Sequence, residues 1–388
     1  MLWILQIYIL YLFYSIIPYI QSYGSKKEMY IITLFLYYNI FSFIRGAVIS
    51  ENYWDYKALI NNGLALFLPV VSFAGTSTTF LKILIQFYLN YALPLLAICI
   101  FFISSGGVGY YLIPISFLAL FLPVINKPWR IIILLLCLLV IFSSFGARSN
   151  VIKFTLPVLF SLIYYIRFPQ IGKLLEFVRK GLFILPLLLF GLAIFGDFNI
   201  FKMDDYLEKG KFKSTNISVI TGKSDTEDLT ADTRTPLYLE VIKSAKKNNS
   251  WLIGRSPARG NETELFSSVA KITGRQERTA NEVAILNIFT WTGIVGVILY
   301  FLIFYKASYL AIMKSNNIFI KIIGLFIAFR WCYAWVEDIN YFTLNTFFLW
   351  ITIGLCFSKP FRKMTDTEVT SWVNQIFKKQ RIYKSNMH

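Results

Sequence analysis

The chain contains one histidine, His388, and it is the last residue. That scarcity excludes a histidine-built zinc site and any Ser-His-Asp or Cys-His relay, since each needs an imidazole held inside the fold. Cysteine is nearly as scarce. Cys99, Cys137, Cys332 and Cys356 all fall in apolar runs, where thiols pack as small hydrophobes rather than pair or ligate. Charge is thin as well: 15% of residues, against 56% hydrophobic ones and a mean hydropathy of +0.59. So little charge cannot clothe a soluble globule, and the soluble classes drop out.

What is present is long apolar sequence. Apolar stretches at residues 1–20, 30–49, 81–103, 108–125, 130–146, 151–166, 181–198, 283–305, 318–336 and 341–357 approach or exceed the roughly 20 helical residues that cross a hydrocarbon core. A briefer run at 64–74 follows a polar break at 50–62 and reads as a tilted, short or re-entrant helix. The expected fold is an all-α polytopic membrane protein with about eleven spans, in a range of ten to twelve. Residues 1–199 and 281–358 form its two helical blocks, 200–280 one large polar loop carrying short helices, and 359–388 a basic tail. The first run lacks a basic leader and a small-residue cleavage site, which favours a retained helix over a signal peptide. No internal repeat supports an inverted-repeat transporter.

The net charge of +17 raises nucleic acid as a partner, but the basic residues cluster beside the spans. One set of connections holds Lys26, Lys27, Lys127, Arg130, Arg167, Lys173, Arg179, Lys180, Lys306, Lys314 and the tail; the alternate short connections hold only Lys57 and Arg148. Positive residues mark the cytoplasmic side. The tail is therefore expected in the cytoplasm and the 200–280 loop outside it, with membrane lipids rather than nucleic acid as the partner. Residues 368–383 read as an amphipathic helix docked on the lipid surface.

The polar loop holds most of the candidate chemistry. Residues 202–228 read as a solvated linker with a short helix at best. Pro236 then opens an amphipathic helix whose stripe is Leu237, Tyr238, Val241, Ile242 and Ala245, with Arg234 just before it. Trp251–Gly260 (WLIGRSPARG) is a turn-rich loop able to cradle an anion or simply to turn. Thr279-Ala-Asn-Glu282 matches a capping box, so Glu282 is either a helix cap or a catalytic carboxylate. Gly293 and Gly296 suit close helix packing. Arg330, Arg45, Glu337 and Asp338 sit in or near span ends, where charge needs a reason. Arg148 is expected on the same side as Arg234, Arg255, Arg259, Arg275 and Arg278. Guanidiniums gathered at one membrane face suit an anionic, lipid-linked ligand, because the planar fork binds phosphate oxygens bidentately; a purely structural charge set is the alternative.

The order of these features resembles the O-antigen polymerase and ligase superfamily of bacterial envelope glycosyltransferases. The resemblance rests on Gly146-Ala-Arg148-Ser149 at a span end, Thr233-Arg234 before the amphipathic helix, Trp251-Leu-Ile-Gly254, Asn281, and Gly293-Ile-Val-Gly296 on a membrane helix. It covers about half the chain. Ala280 stands where the ligases carry a histidine, which brings the chain nearer to the polymerases. The resemblance implies transfer of a glycan from a polyprenyl diphosphate carrier to a sugar hydroxyl, at the outer face of a bacterial inner membrane, without metal or other cofactor. Arg148 and Arg234, assisted by Arg255 or Arg278, would bind the departing diphosphate, and Glu282, or else Asp232, would accept the hydroxyl proton. Implied partners are lipid-linked glycans, a flippase and a chain-length regulator. The alternatives are a ligase-type transferase and a lipid-linked oligosaccharide flippase or transporter.

Overall fold

The computed structural model of the protein describes residues 2–20, 26–103, 105–143, 148–166, 170–196, 199, 201, 213–217, 224–228, 232, 234–264 and 273–378; the side chain of Arg148 lies outside it. Backbone withdrawn from water must satisfy its own amides, and a helix does so within one segment. The apolar runs accordingly become α1 (Leu2–Ile20), α2 (Lys26–Ile49), α3 (Tyr53–Phe67), α4 (Val71–Gly75), α5 (Thr78–Phe87), α6 (Leu93–Cys99), α7 (Ser105–Tyr111), α8 (Ile113–Ala119), α9 (Lys127–Ser143), α10 (Arg148–Ser161) and α11 (Ile171–Phe195). After the polar segment, which carries α12 (Thr235–Lys247), come α13 (Ala284–Met313), α14 (Ile318–Tyr333), α15 (Leu344–Phe357), α16 (Lys359–Lys363) and α17 (Asp366–Ile376).

Among the described residues, six helical stretches are long and apolar enough to cross a membrane: Leu2–Ile20, Lys27–Ile49, Tyr53–Gly75, Thr78–Cys99, Ile171–Phe195 and Ala284–Met313. The stretch read as a polar break and a brief apolar run is one of them. Asn52 accepts hydrogen bonds from the amides of Trp54 and Asp55, so helix begins at Tyr53 and runs through the polar residues. Most of that stretch is buried inside the bundle, which is why its polar side chains did not end it.

α13 is the central pillar, packed against α2, α11, α14 and α15. Trp291, Tyr300, Phe304 and Trp331 are buried at its core. Tyr300 and Phe304 lie 4.8 Å apart between ring centroids, and Phe301 meets Trp331 edge-on at 5.1 Å. α4 and α15 touch backbone to backbone: a Cβ on Gly354 would stand 2.1 Å from the Ser72 carbonyl oxygen. α1 does the opposite, exposing Leu2, Ile4, Leu5 and Ile7 along its length. Such a face needs lipid or another apolar cover.

The chain has two distinct polar ends. At one, Arg362 pairs with Glu28 at 2.5 Å and Asn317 Nδ2 donates to the Phe361 carbonyl at 2.9 Å. Here α17 departs from the expectation of lipid docking. It starts on a Thr365–Glu368 capping box and buries Val369, Trp372, Val373 and Ile376 against α5, α14 and the Leu122–Val124 turn. Trp372 Nε1 donates to the Thr78 carbonyl at 3.2 Å. The protein itself supplies the groove that takes the amphipathic stripe. The opposite end gathers the described part of the polar segment from Arg234 onward. Earlier in that segment, β1 (Lys213–Ile217) pairs antiparallel with β2 (Ser224–Asp228), strand rather than linker or short helix at those ten residues; the rest of 202–228 lies outside the described residues. Thr215, Ile217 and Thr226 are the β-favouring residues there.

Candidate functional site

The floor of the site is a broken helix. Gly293 interrupts α13 with φ 67° and ψ −168°, a conformation open in practice to glycine alone. A break in an apolar bundle strands backbone groups, and the Trp251–Ser256 loop satisfies them. The amides of Arg255 and Ser256 donate to the carbonyls of Thr290 and Trp291 at 2.6 and 3.1 Å, and the amides of Ile294 and Val295 donate to Trp251 and Leu252 at 2.8 and 3.3 Å. The approach is close enough that a Cβ on Gly254, itself at φ +68°, would lie 2.5 Å from the Thr292 nitrogen. Arg45 clamps the loop from α2, donating to the Ile253 and Gly254 carbonyls at 2.6 and 3.0 Å. The two glycine motifs thus form one joint. Gly293 marks the break, not a helix-packing notch.

α12 docks on this joint through the expected stripe. Leu237, Tyr238 and Val241 are buried with Val283 and Leu286, against Phe190 and Phe289, while Ile242 is only partly covered. Tyr238 donates its hydroxyl proton to the Trp335 carbonyl at 2.6 Å. Asp232 holds the turn that leads into the helix: its Oδ1 accepts from the amides of Arg234, the cap residue, and of Thr235 at 3.1 and 2.9 Å. Arg234 is thereby aimed along the end of the bundle, where its Nε reaches the Val336 carbonyl at 3.3 Å and its Nη1 bonds Glu282.

Glu282 is the meeting point. It takes Arg234 on one oxygen and Arg278 on the other, the latter at 3.3 Å, and is 51% exposed. It does not close a capping box. α13 begins at Ala284 with Val283 as its cap residue, and the amides of Ala284 and Ile285 donate to the Glu337 and Ala334 carbonyls at 3.2 and 3.1 Å. Glu282 thus lies ahead of the helix start, and its carboxylate faces the arginines. Arg278 is placed by a two-residue ladder, β3 (Asn261–Glu262) with β4 (Glu277–Arg278), and by its Nε bond to the Ala280 carbonyl at 3.0 Å.

Arg255 is not on that carboxylate. With Arg259 it holds Glu277, at 2.9 and 2.5 Å, and it also bonds the Gly260 carbonyl at 2.7 Å. Burial pushes the Glu277 carboxyl up, but the two guanidiniums outweigh it and leave the group below its ordinary range. Arg275 pairs with Glu51 and with Asp55, the latter at 3.2 Å. Arg148 opens α10, and its side chain lies outside the described part. Its helix nonetheless starts at this end, because Lys153 one turn on has its amine 3.9 Å from Glu337.

Two features of the site escaped the sequence reading. One is Lys153, a cation inside an apolar run. The other is a side-chain network behind Asn281. Asn287 accepts from the Asn281 amide at 2.5 Å and donates to Asp338 at 2.9 Å, while Asn281 Nδ2 donates to Asn261 at 3.0 Å. Asp338 also accepts from the Asn340 amide at 2.8 Å. Burial raises its carboxyl to about 7, aided by the charge of Glu337. The available signal was a polar residue within apolar sequence, at Asn287 and at Lys153, each needing a partner.

Among the described residues, no three His, Cys, Asp or Glu side chains gather as a metal-binding group. No family model, curated protein or solved structure matches the chain.

Proposed function

We propose that the chain is an integral-membrane glycosyltransferase. It joins polyprenyl-diphosphate-linked oligosaccharide repeat units into a surface polysaccharide, an O-antigen or a capsule, at the outer face of a bacterial cytoplasmic membrane. The observation that carries this reading is the convergence of Arg234 and Arg278 on the half-exposed Glu282 at the end of an apolar bundle where α10, headed by Arg148, also begins. Two guanidiniums on one solvent-reachable carboxylate are already arranged for an anion with paired oxygens.

In this reading the diphosphate of the carrier competes with Glu282 for Arg234 and Arg278, and Arg148 adds a third positive group. The acceptor hydroxyl oxygen attacks the anomeric carbon, and the bond from that carbon to the diphosphate oxygen breaks. The electron pair leaves with the diphosphate, whose growing charge the arginines stabilise. Glu282, released from its pairs, takes the hydroxyl proton. Asp232 is engaged by the two amides that lead into α12, so Glu282 stands ahead of it as the base. Arg255 supports the site by holding Glu277, the residue before Arg278. About eleven spans, the 200–280 segment outside and the basic tail in the cytoplasm complete the proposal, supported by the uneven placement of lysine and arginine.

The test is cellular. Deleting the chain should leave single repeat units on the lipid carrier, facing outward, with no longer saccharides. Units trapped in the cytoplasmic leaflet would instead make the chain a flippase.

A further inference from the structure

Helices α8, α10, α14 and α15 line a half-open cavity of about 30 Å³. Its polar lining is Ser116, Lys153, Arg330, Asn345 and Thr352, set among apolar side chains such as Phe348. Both cations are buried: Lys153 is 5% exposed and Arg330 3%. Arg330 Nη2 donates to Asn345 Oδ1 at 3.2 Å, its Nε has no partner, and among the described residues no carboxylate lies within salt-bridge distance of it. Lys153 donates to Ser149 Oγ at 3.0 Å and has Glu337 at 3.9 Å, at the more exposed edge.

Among the described residues the paired charges do not balance: Lys153 and Arg330 bring two positive charges, and Glu337, paired with Lys153, returns one. The two hydroxyls give their protons to backbone carbonyls, Ser116 to Lys153 at 2.8 Å and Thr352 to Phe348 at 2.6 Å, and offer no formal charge. A buried guanidinium with one neutral hydrogen-bond acceptor and the Tyr333 ring at 5.7 Å is costly in an apolar bundle. Water in the cavity would solvate it without neutralising it. An anion would do both.

A water needs about 10–15 Å³ of such space, so the cavity has room for a small anion between the two cations. We propose that this cavity is a halide site, in which a chloride-class anion is held between Arg330 and Lys153 and ties α10 to α14 and α15. The proposal is independent of the transferase reading.

The test uses the full chain in neutral phosphatidylcholine nanodiscs, with the thermal unfolding midpoint followed as sodium chloride replaces sodium gluconate at constant ionic strength and pH. The midpoint should rise saturably with chloride, rise likewise with bromide, and stay level in gluconate. Lys153→Met and Arg330→Met should each lose the chloride-dependent rise. If Arg330→Met does not fold, the wild-type titration and Lys153→Met decide. Equal midpoints in chloride and gluconate would overturn the proposal, as would a rise of equal size in wild type and Lys153→Met. A rise with acetate but none with chloride would also overturn it, since the cavity would then read a carboxylate.

Discussion

Replacing Gly293 with alanine tests the joint on which the site is built. At φ 67° and ψ −168° any side chain is strained, at a cost of about 1–3 kcal/mol. The new Cβ would also stand 2.3 Å from the Leu252 carbonyl oxygen, so the Trp251–Ser256 loop must lift. Four backbone hydrogen bonds span that joint; losing two of them, at about 0.5–1.5 kcal/mol each, brings the total to about 2–6 kcal/mol. In fluorescence-monitored thermal unfolding of the purified protein, this is a midpoint lower by about 2–7 °C. Gly254→Ala should behave alike, its Cβ falling 2.5 Å from the Thr292 nitrogen. The double variant should cost less than the sum, because either change alone opens the same joint. Gly191→Ala is the control: nothing lies within 4 Å of its Cβ, and alanine favours a helix. A Gly293→Ala protein as stable as Gly191→Ala would refute the reasoning.

Further outcomes follow from the ion pairs. Glu277→Gln leaves Arg255 and Arg259 facing each other in a site where the glutamate was 11% exposed, and should destabilise the protein by about 3 kcal/mol in the same unfolding assay. Because the folded carboxyl sits below its ordinary range, that stabilisation is full above the unfolded value of roughly 4.3 and is lost as pH falls through the lower folded value. Asp338 has the opposite sign. Its folded carboxyl is raised to about 7, so stability should decline as pH climbs from roughly 4 towards neutrality, by at most about 1.4 kcal/mol per pH unit, and then level off; a pH series of unfolding midpoints should show that slope in wild type and lack it in Asp338→Asn. Glu282→Gln, at a half-exposed carboxylate, should change stability by less than about 1 kcal/mol while glycan transfer in a reconstituted assay falls steeply.

The sequence announced what hydropathy and local pattern control. The helical class, the stripe of α12 and the arginine ahead of it were readable because periodicity reports which face is buried. What could not be read depends on partners far along the chain. Thr279–Glu282 has the letters of a capping box, but the helix starts beyond it at Ala284, where the first amides bond the Glu337 and Ala334 carbonyls far along the chain, and Glu282 meets the arginines instead. Gly293 reads as a small packing residue until its positive φ is seen. Residues 53–62 look like a loop by polarity, yet helix runs through them because the bundle encloses that stretch. The pairing of Lys153 with Glu337 leaves no local trace in either segment.

The central claim is that arginines at this end of the bundle bind a lipid-linked diphosphate. Purified protein reconstituted with lipid-diphosphate repeat units measures it directly, comparing wild type with Arg148→Ala and Arg234→Ala. Wild type should build longer saccharides, and each variant should remain folded while losing most of that rate. Longer saccharides made at the wild-type rate by both variants would contradict the account.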